Sequence, residues 1–365
     1  MKVLVAGGAG YIGSTTCSAL LDNGHVPIIL DSLVTGREAF VRDRIFYKGD
    51  IADARLVSRI ISEHPDIFCA MHFAALIVVP DSVSDPYGYY RENVAKSLEF
   101  YKCLVDNGIE RVLFSSSASI YSDVPDFMAT ESTPLYPRSP YARTKRIMEE
   151  ILEDFAVAYG MKGIALRYFN PIGADPKMRT GMPLALPSHV LGKLISAANG
   201  KEPEFVVTGT GWPTRDGTGI RDYVHVWDLA LAHVKAVERF DSALEEAGSV
   251  NNIEAGSSSN IDVASGENAE AGREARGGFL AINLGSGSGV TVREIVAAFE
   301  NVYGIEVPKR EAPPRDGDVA GAYASAELAK RLLFWEAELS IEDGIRDALA
   351  WDRVRGGVLG EKPIM

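Results

Sequence analysis

Four glycines stand close together near the start of the chain, within residues 7–13. The run follows a short β-branched apolar segment and precedes a segment with helical periodicity, which predicts a strand, a tight turn and a helix. Gly7 permits the turn, Gly10 lets the backbone approach a pyrophosphate, and Gly13 lets the helix pack against the strand. The N-terminus of that helix then faces the phosphates. The run therefore predicts a dinucleotide-binding unit.

Short apolar runs alternate with amphipathic segments through the first half of the chain. The expected strands cover residues 2–6, 26–30, 67–73, 112–116 and 164–168. Such alternation predicts an α/β fold, a Rossmann-type doubly wound parallel sheet with helices on both faces. The loops that follow the strands then meet along one edge of the sheet, where an open parallel sheet binds its ligands.

The pattern loosens beyond residue 170, which predicts a second structural unit. We assign residues 1–170, with a return at 221–240, to the Rossmann domain. A smaller C-terminal α/β lobe for the substrate takes residues 171–220 and 279–365. Residues 241–278 are rich in small and acidic residues and lack aromatics, so we expect them to form a flexible acidic insertion.

Composition argues against several classes of partner. The 365-residue chain carries a formal charge of -13, whereas nucleic acids and anionic membranes require a basic face. No stretch reaches the roughly 18 apolar residues of a membrane helix. Cys17, Cys69 and Cys103 are odd in number and widely spaced, which fits reduced core thiols better than disulfides. We expect a soluble cytoplasmic protein, and no spacing typical of a metal site is present.

An acidic residue follows the second expected strand, as dinucleotide binding requires. Asp31 lies 18 residues beyond Gly13, where a carboxylate binds the adenosine ribose hydroxyls and repels a 2′-phosphate. This position favours NAD over NADP. Asp50, after the third strand, fits either a contact with the adenine edge or a helix cap, and both interpretations stay open.

Tyr141 and Lys145 form the second chemical signal. Their four-residue spacing places both side chains on one face of a helix. An ammonium beside a phenol favours the phenolate, so the tyrosine becomes a candidate base for alcohol oxidation beside a nicotinamide. Ser117, after the strand at 112–116, can hydrogen-bond the same substrate oxygen. Taken alone, such a pair is also typical of a helix surface, and serines after strands are often turn or cap residues.

Motifs over nearly the whole chain, the expected insertion excepted, follow the order of one family. The chain resembles the extended short-chain dehydrogenase/reductases that act on nucleotide sugars, and among them most closely the UDP-hexose 4-epimerases. The matching segments are residues 7–14, 31–33, 49–51, 72–75, 93–94, 115–121, 141–145, 166–171, 216–226, 283–287 and 314–319.

The resemblance implies both a chemistry and a set of roles. Tyr141 would be the base, Lys145 would tune it and bind the nicotinamide ribose, and Ser117 would orient the sugar 4-hydroxyl. NAD would stay tightly bound, since the 4-keto sugar turns over and is reduced again without net redox change. A UDP-sugar and a second copy of the chain, in a homodimer, are the implied partners.

The resemblance also implies the residues that contact each ligand. The implied cofactor contacts are Gly7, Gly10, Tyr11, Ile12, Gly13, Asp31, Ser32, Thr35, Gly36, Asp50, Ile51, Phe73, Ala74, Ala75, Asn93, Ser115, Tyr141, Lys145 and Tyr168. The implied substrate contacts are Ser117, Tyr141, Asn170, Arg221, Tyr223, Arg315, Asp318 and Ala322.

Related enzymes of the same fold are the main alternatives. Dehydratases and decarboxylases carry a carboxylate just after the strand-end hydroxyl, because removal of water needs an acid and base pair. Ala118 and Ser119 occupy those positions, which makes both activities less favoured. Another nucleotide-sugar epimerase remains open, as does a non-catalytic NAD-sensing protein, although a sensor would be expected to lose Tyr141 and Lys145.

Three positions bear on the shape of the sugar pocket. Ile77 stands where 4-epimerases commonly place a lysine near the cofactor diphosphate, and Leu184 stands where an asparagine often contacts the nucleotide. Ala322 occupies a position that varies in the family between a bulky aromatic and a small side chain. A small residue there leaves room for a 2-acetamido group, so we expect acetamido sugars as substrates beside the plain hexoses.

Overall fold

Strands and helices alternate through most of the chain. The computed structural model describes residues 1–122, 124, 126–185, 187, 189–257, 275–276, 278–314 and 319–361. The strands are β1 (Lys2–Ala6), β2 (Val26–Asp31), β3 (Ile45–Lys48), β4 (Ile67–His72), β5 (Arg111–Ser115), β6 (Met128–Ala129), β7 (Lys162–Tyr168), β8 (Asn170–Ile172), β9 (Phe205–Thr208), β10 (Ile220–Arg221), β11 (Tyr223–His225), β12 (Ala275–Arg276), β13 (Phe279–Leu284), β14 (Val290–Thr291), β15 (Lys309–Ala312) and β16 (Gly321–Ala324).

The helices cover the sheet and build the rest of the molecule. They are α1 (Tyr11–Asp22), α2 (Ala54–Glu63), α3 (Val79–Ser84), α4 (Pro86–Tyr89), α5 (Lys96–Asp106), α6 (Pro140–Tyr159), α7 (Val190–Ala198), α8 (Val226–Glu238), α9 (Phe240–Ser257), α10 (Val292–Tyr303), α11 (Glu327–Leu333) and α12 (Ile341–Leu359). A π-helical turn, Tyr90–Ala95, joins α4 to α5. No helix of the described residues is long and apolar enough to cross a membrane.

An eight-stranded sheet in the order β12-β13-β7-β5-β4-β1-β2-β3 forms the centre of the fold. Seven of its strands are parallel, and β12 pairs antiparallel with β13 at one edge. This confirms the predicted Rossmann-type doubly wound fold. β1 lies between β2 and β4, so the order of the strands reverses there, and the crevice at the carboxyl ends of these strands is the ligand-binding position of such sheets.

Both faces of the sheet are buried, which explains why its strands are almost continuously apolar. One face packs against α1, α8 and α11, with Leu20 and Leu229 fully buried in the shared core. The other face packs against α2, α5 and α6, with Phe100 and Met148 fully buried. Packing on both faces fixes the positions of β1, β4 and β5, and it thereby places the residues that directly follow these strands.

The last parallel strand of the central sheet, β13, lies in a different unit from the one predicted for it. Residues 279–284 were expected in the substrate lobe, but β13 pairs in parallel with β7 and all six of its residues are buried. Helix α11, further along the chain, also packs on the Rossmann core through Leu328 and Leu332. An uninterrupted apolar strand is stable only where both faces are covered, and the central sheet provides that position.

The expected insertion is shorter than predicted at its start. Helix α9 begins at Phe240, and both Ala243 and Ala247 are buried against the Rossmann core. Asp241 accepts a two-pronged hydrogen bond from Arg111 and a further one from Lys162. Composition alone hid this helix because its apolar face consists largely of alanines. Residues 258–274 and 277 lie outside the described residues.

A second, smaller unit follows β7 and forms around its own apolar core. Helices α7, α10 and α12 pack there with β9, β11 and β8 around Phe205, Tyr223 and Phe299. A four-stranded sheet in the order β14-β10-β16-β6 lies beside this core. This sheet pairs β10 with β16, so Arg221 and Ala322, two residues predicted to bind the substrate, are neighbours.

Candidate active site

The loop between β1 and α1 has the tight geometry that a dinucleotide requires. Gly7 has a φ of +84°, and a Cβ on it would lie 2.5 Å from the backbone nitrogen of Ala74. A Cβ on Gly13 would lie 2.3 Å from the carbonyl oxygen of Gly7. Any larger residue at either position would displace backbone, so glycine is required there. Gly10 precedes α1 and supplies no side-chain cap, which leaves the first N–H groups of the helix for an anion.

Asp31 closes the ribose side of the same loop. Its carboxylate accepts hydrogen bonds from the backbone N–H groups of Ala9 at 2.9 Å and Leu33 at 2.8 Å. Gly36 packs so closely that an added Cβ would lie 2.8 Å from Asp31 Oδ1. A glycine cradle, an uncapped helix N-terminus and a carboxylate at the end of β2 together fit NAD. Two further predicted cofactor residues, Ser32 and Thr35, are exposed in this turn.

Asp50 and Ile51 follow β3, and the structure excludes the helix-cap interpretation of Asp50, while the contact with the adenine edge stays a prediction. The N-cap of α2 is Asp53, so Asp50 does not cap that helix. Its carboxylate accepts hydrogen bonds from Lys96 Nζ at 2.6 Å and from the Ala52 N–H at 2.9 Å. Burial would raise the pKa of Asp50, but these hydrogen bonds hold it below its ordinary value. The side chain of Ile51 is buried in the core.

The segment after β4 passes directly beside the glycine loop. The N–H of Ala74 donates to the carbonyl of Ala6 at 3.1 Å, which sets the close approach to Gly7. Asn93 holds the next residues, since it accepts from the Leu76 N–H at 2.7 Å and donates to the Leu76 carbonyl at 2.9 Å. The predicted cofactor residues of this segment are Phe73, Ala74 and Ala75. Asn93 therefore fixes the backbone of Leu76, the residue that directly follows them.

Tyr141 and Lys145 lie in the first two turns of α6, and the Ser139 hydroxyl caps that helix by accepting from the Ala142 N–H. Lys145 is 2% exposed, and its Nζ donates to the Ser115 carbonyl at 2.7 Å. The same Nζ lies 5.9 Å from the centroid of the Tyr141 ring. The pair thus faces the end of β5 and is not a surface pair.

Burial dominates the titration of both groups. It raises the pKa of Tyr141 to about 12, although a hydrogen bond with Ser117 acts in the opposite direction. It lowers the pKa of Lys145 to about 7, and the carboxylate of Glu149 limits the fall. The predicted shift of the tyrosine pKa toward neutrality is therefore wrong for this state of the protein. The physical reason is the cost of a buried phenolate beside a lysine that itself carries only part of its charge.

Four further hydroxyl groups lie near the pair. Ser117 Oγ lies 2.9 Å from Ser119 Oγ, besides its interaction with Tyr141. Ser115 Oγ is hydrogen-bonded to the hydroxyl of Tyr168, at the end of β7. Ser115, Ser117, Tyr141, Lys145 and Tyr168, predicted from separate parts of the sequence, thus lie together. They form a proton-handling group at the same sheet edge as the glycine loop.

A cavity of about 410 Å³ lies beside the second core, a size suited to a small organic ligand. Asn170, Arg221 and Tyr223 line it, as predicted for the substrate. Arg221 donates to the Ile220 carbonyl at 2.7 Å, and Ala322 is its neighbour in the β10–β16 ladder. Burial raises the pKa of Tyr223 to about 12, so it lines the cavity as a neutral phenol.

Part of the cavity wall was not predicted from the sequence. Phe205 and Trp212 offer aromatic faces, and His189 has an Nε2 atom that finds no hydrogen-bond partner in the part of the chain that the structure describes. Burial lowers the pKa of His189 to about 4. In the sequence, the glycine at position 209 could have indicated a tight turn beside Trp212, because a Cβ there would lie 2.4 Å from Trp212 Nε1. Two charged residues of the wall, Lys193 and Glu202, were also missed.

The other predicted residues fall into three groups. Tyr11 donates its hydroxyl proton to the Gly173 carbonyl at 2.7 Å, and Ile12 packs against the Rossmann core. Ile77 is 62% exposed and Leu184 is 49% exposed. Because both side chains are aliphatic, neither supplies a charged or amide contact. Two predicted substrate residues, Arg315 and Asp318, lie outside the described residues.

The fold and the site define an NAD-dependent enzyme of the short-chain dehydrogenase/reductase class, in its extended form with a substrate lobe. The model of the NAD dependent epimerase/dehydratase family matches residues 3–253. The chain therefore belongs to the NAD dependent epimerase/dehydratase family, and the resemblance found in the sequence is confirmed.

Individual relatives are similar over almost the whole chain. The UDP-glucose 4-epimerase of Bacillus subtilis is 37% identical over 361 residues, 96% of each chain. Among solved structures, the UDP-glucose-4-epimerase of Stenotrophomonas maltophila with bound NAD and formylated UDP-arabinopyranose has a TM-score of 0.84 and 34% identity over 98% of this chain and 99% of that one. The UDP-glucose 4-epimerase of Bifidobacterium longum with NAD+ and UDP has a TM-score of 0.80 and 32% identity over 97% and 98%.

Proposed function

We propose that the protein is a UDP-hexose 4-epimerase of galactose metabolism, which interconverts UDP-glucose and UDP-galactose with NAD held as a prosthetic group. One observation carries this proposal. Tyr141, Lys145 and Ser117 meet at the sheet edge that holds the glycine loop, and Arg221 lines a cavity of about 410 Å³ beside the second core. The relatives named above are UDP-glucose 4-epimerases, which supports the same activity.

NAD would be held by residues 7–13 and Asp31, and when bound it supplies the acceptor for the C4 hydride and returns that hydride to the opposite face. The side chains of the protein handle the proton. Tyr141, as the phenolate, takes the proton of the sugar 4-hydroxyl and becomes a phenol, and the Lys145 ammonium stabilises the phenolate that precedes this step. Ser117 orients the same oxygen. The same phenol returns the proton to the sugar oxygen when the 4-keto sugar is reduced.

The residues around the pair disfavour the related chemistries. Ala118 and Ser119 supply no carboxylate at the end of β5, so the acid and base pair that elimination of water needs is missing there. A sensing protein would not need a buried Lys145 beside a partly buried Tyr141. We therefore favour reversible oxidation at C4 over dehydration, decarboxylation or sensing.

Product analysis tests the proposal directly. Purified protein should convert UDP-galactose into UDP-glucose without added NAD, and added NAD should not change the rate. Anion-exchange chromatography of the nucleotide sugars separates the two. Absence of UDP-glucose from a protein preparation that retains stoichiometric NAD would rule out this activity.

The small side chain at Ala322 extends the proposed substrates to acetamido sugars. We expect interconversion of UDP-N-acetylgalactosamine and UDP-N-acetylglucosamine as well. In Ala322→Tyr, the phenol ring next to Arg221 would take the space that the 2-acetamido group needs. The substitution should therefore lower kcat/KM for the acetamido pair about 100-fold. The hexose pair should lose less than about threefold. Equal losses for both pairs would contradict a pocket limited in size at this position.

We further propose a homodimer in the cytoplasm. In the resembling family α5 and α6 pair across a two-fold axis, and here Leu98, Val157 and Tyr159 on these helices are exposed apolar residues. The described cysteines are free and buried, which fits a reducing compartment. Light scattering should give about twice the 39.5 kDa of one chain, and Val157→Glu should return the mass to one chain. A wild-type protein that stays monomeric at micromolar concentration would contradict the dimer.

A further inference from the structure

A buried ion pair follows the catalytic lysine by one helical turn. Glu149 lies four residues after Lys145 on α6, so the two side chains share one face of the helix. Glu149 has a fully buried side chain, and that of Arg167 on β7 is 5% exposed. Arg167 donates from Nε at 2.9 Å and from Nη2 at 2.6 Å, one bond to each carboxylate oxygen. This two-pronged geometry fixes the carboxylate in one orientation.

The ion pair is also bonded to the catalytic end of β5. Ser116 donates its hydroxyl proton to Glu149 Oε1 at 2.5 Å. Its chain neighbours are Ser115, whose carbonyl accepts from Lys145, and Ser117, which interacts with Tyr141. Glu149 therefore holds the middle residue of the three that face the catalytic pair.

The far side of the ion pair is anchored in the same way. The third guanidinium nitrogen of Arg167 donates to the Tyr121 hydroxyl at 2.9 Å, and Tyr121 donates to Asn283 Oδ1 on β13 at 2.6 Å. Burial alone would lower the pKa of Arg167, but Glu149 and Tyr121 hold it above its ordinary value. The guanidinium thus stays charged and ties α6 to β7 and β13.

Stability alone is a poor reason to bury this pair. Desolvation of two charges roughly cancels their attraction, and apolar residues of similar volume are often as stable. The carboxylate of Glu149 also acts on Lys145. Burial lowers the pKa of this lysine to about 7, and Glu149 opposes that fall. The other titratable groups that face Lys145 or Glu149 are Tyr141 and Arg146 on α6, His72 on β4, Tyr101 on α5, Tyr121 after β5 and Arg167 on β7.

We propose that Glu149, held by Arg167, is a positioning residue that increases the fraction of Lys145 in its ammonium form and holds Ser116 so that Ser117 faces Tyr141. The inference rests on the proposed function, in which the ammonium of Lys145 stabilises the phenolate. Among the facing groups, His72 is neutral at working pH because burial lowers its pKa to about 3. Glu149 is the facing group whose negative charge raises the pKa of Lys145.

The sign of the expected pH effect follows from this role. The ammonium is the active form, so kcat/KM falls as the pH rises through the pKa of Lys145. Glu149→Gln removes the negative charge that favours the ammonium, so this alkaline limb should move to lower pH by about one unit. At pH values well above the limb the loss relative to wild type should reach about tenfold, against about twofold at pH 6, because the pKa of Lys145 is about 7 in wild type. The matched control is Glu150→Gln, one residue further on α6, where the side chain is 49% exposed and pairs with Arg146.

A second variant separates this role from a purely structural one. Glu149→Gln leaves the Arg167 guanidinium buried without its partner, which lowers the melting temperature. The double variant Glu149→Gln, Arg167→Gln removes both charges and keeps neutral donors and acceptors, so its melting temperature should recover in part. Its alkaline limb should remain shifted. A limb that returns to the wild-type pH together with the melting temperature would overturn the proposal, as would an unchanged limb in Glu149→Gln.

A direct titration keeps this test independent of the proposed reaction. In protein that carries ¹³C at the lysine ε-carbon, the resonance lost in Lys145→Met identifies Lys145, and its midpoint should lie about one unit lower in the Glu149→Gln variants than in wild type. An equal midpoint would overturn the proposal. Failure of wild type to epimerise UDP-galactose would refute the proposed function alone, because the titration still reports on Glu149.

Discussion

The variant Tyr141→Phe should lose at least about 10³-fold in kcat for the conversion of UDP-galactose. The phenol is the group placed to take the 4-hydroxyl proton, and removal of a positioned general base typically costs this much. Phenylalanine keeps the ring that packs above the end of β5, so the melting temperature and the NAD content should stay close to wild type. The measurement is kcat by coupled detection of UDP-glucose.

Two controls make the result specific. Tyr303→Phe makes the same change on α10, where the ring packs against the core of the smaller unit, and should leave kcat unchanged. KM for UDP-galactose should change little in Tyr141→Phe, because Arg221 and the cavity wall are untouched. Retention of more than a tenth of wild-type kcat would show that another group takes the proton.

The variant Lys145→Met should lose about 10²- to 10³-fold in kcat, the range found when one preorganised cationic or hydrogen-bond donor is removed from a buried site. The buried Nζ donates to the Ser115 carbonyl and lies near the Tyr141 ring. Methionine fills a similar volume without charge. The residual activity should also lack the alkaline limb that the titration of Lys145 produces in wild type.

The control for this variant is Lys235→Met on α8, where the lysine is paired with Glu238 and its side chain is 45% exposed. It should match wild type in kcat and in pH profile. A Lys145→Met protein that loses activity but keeps the wild-type alkaline limb would assign that limb to another group, and the proposed role of the ammonium would fail.

Much of the cofactor half could be predicted because its signals are local. Gly13 is required by the Gly7 carbonyl in the same turn, Gly7 has a φ of +84° in that turn, and Asp31 is set by the end of one strand. The strands were recognisable for the same reason, since a sheet buried on both faces demands short apolar runs. The proximity of Tyr141 to Ser117 followed from the common edge of parallel strands.

The remaining features depend on tertiary packing that no local pattern reports. Arg167 and Glu149 are 18 residues apart in sequence and meet only because β7 packs against α6. The raised pKa of Tyr141 comes from burial, which spacing along a helix cannot reveal. The strand β13 was assigned to the wrong unit because it follows the low-complexity segment, and the sheet position that accommodates it becomes evident only when β7 is in place.

One measurement tests the central claim most directly, namely reversible oxidation at C4 with the hydrogen kept on the enzyme. UDP-galactose carrying deuterium at C4 should yield UDP-glucose with the deuterium still at C4, and unlabelled substrate in D₂O should gain no carbon-bound deuterium. Mass spectrometry and NMR of the product locate the label. Loss of deuterium from C4, or incorporation from solvent at C4 or C5, would contradict the account and point to proton abstraction from carbon.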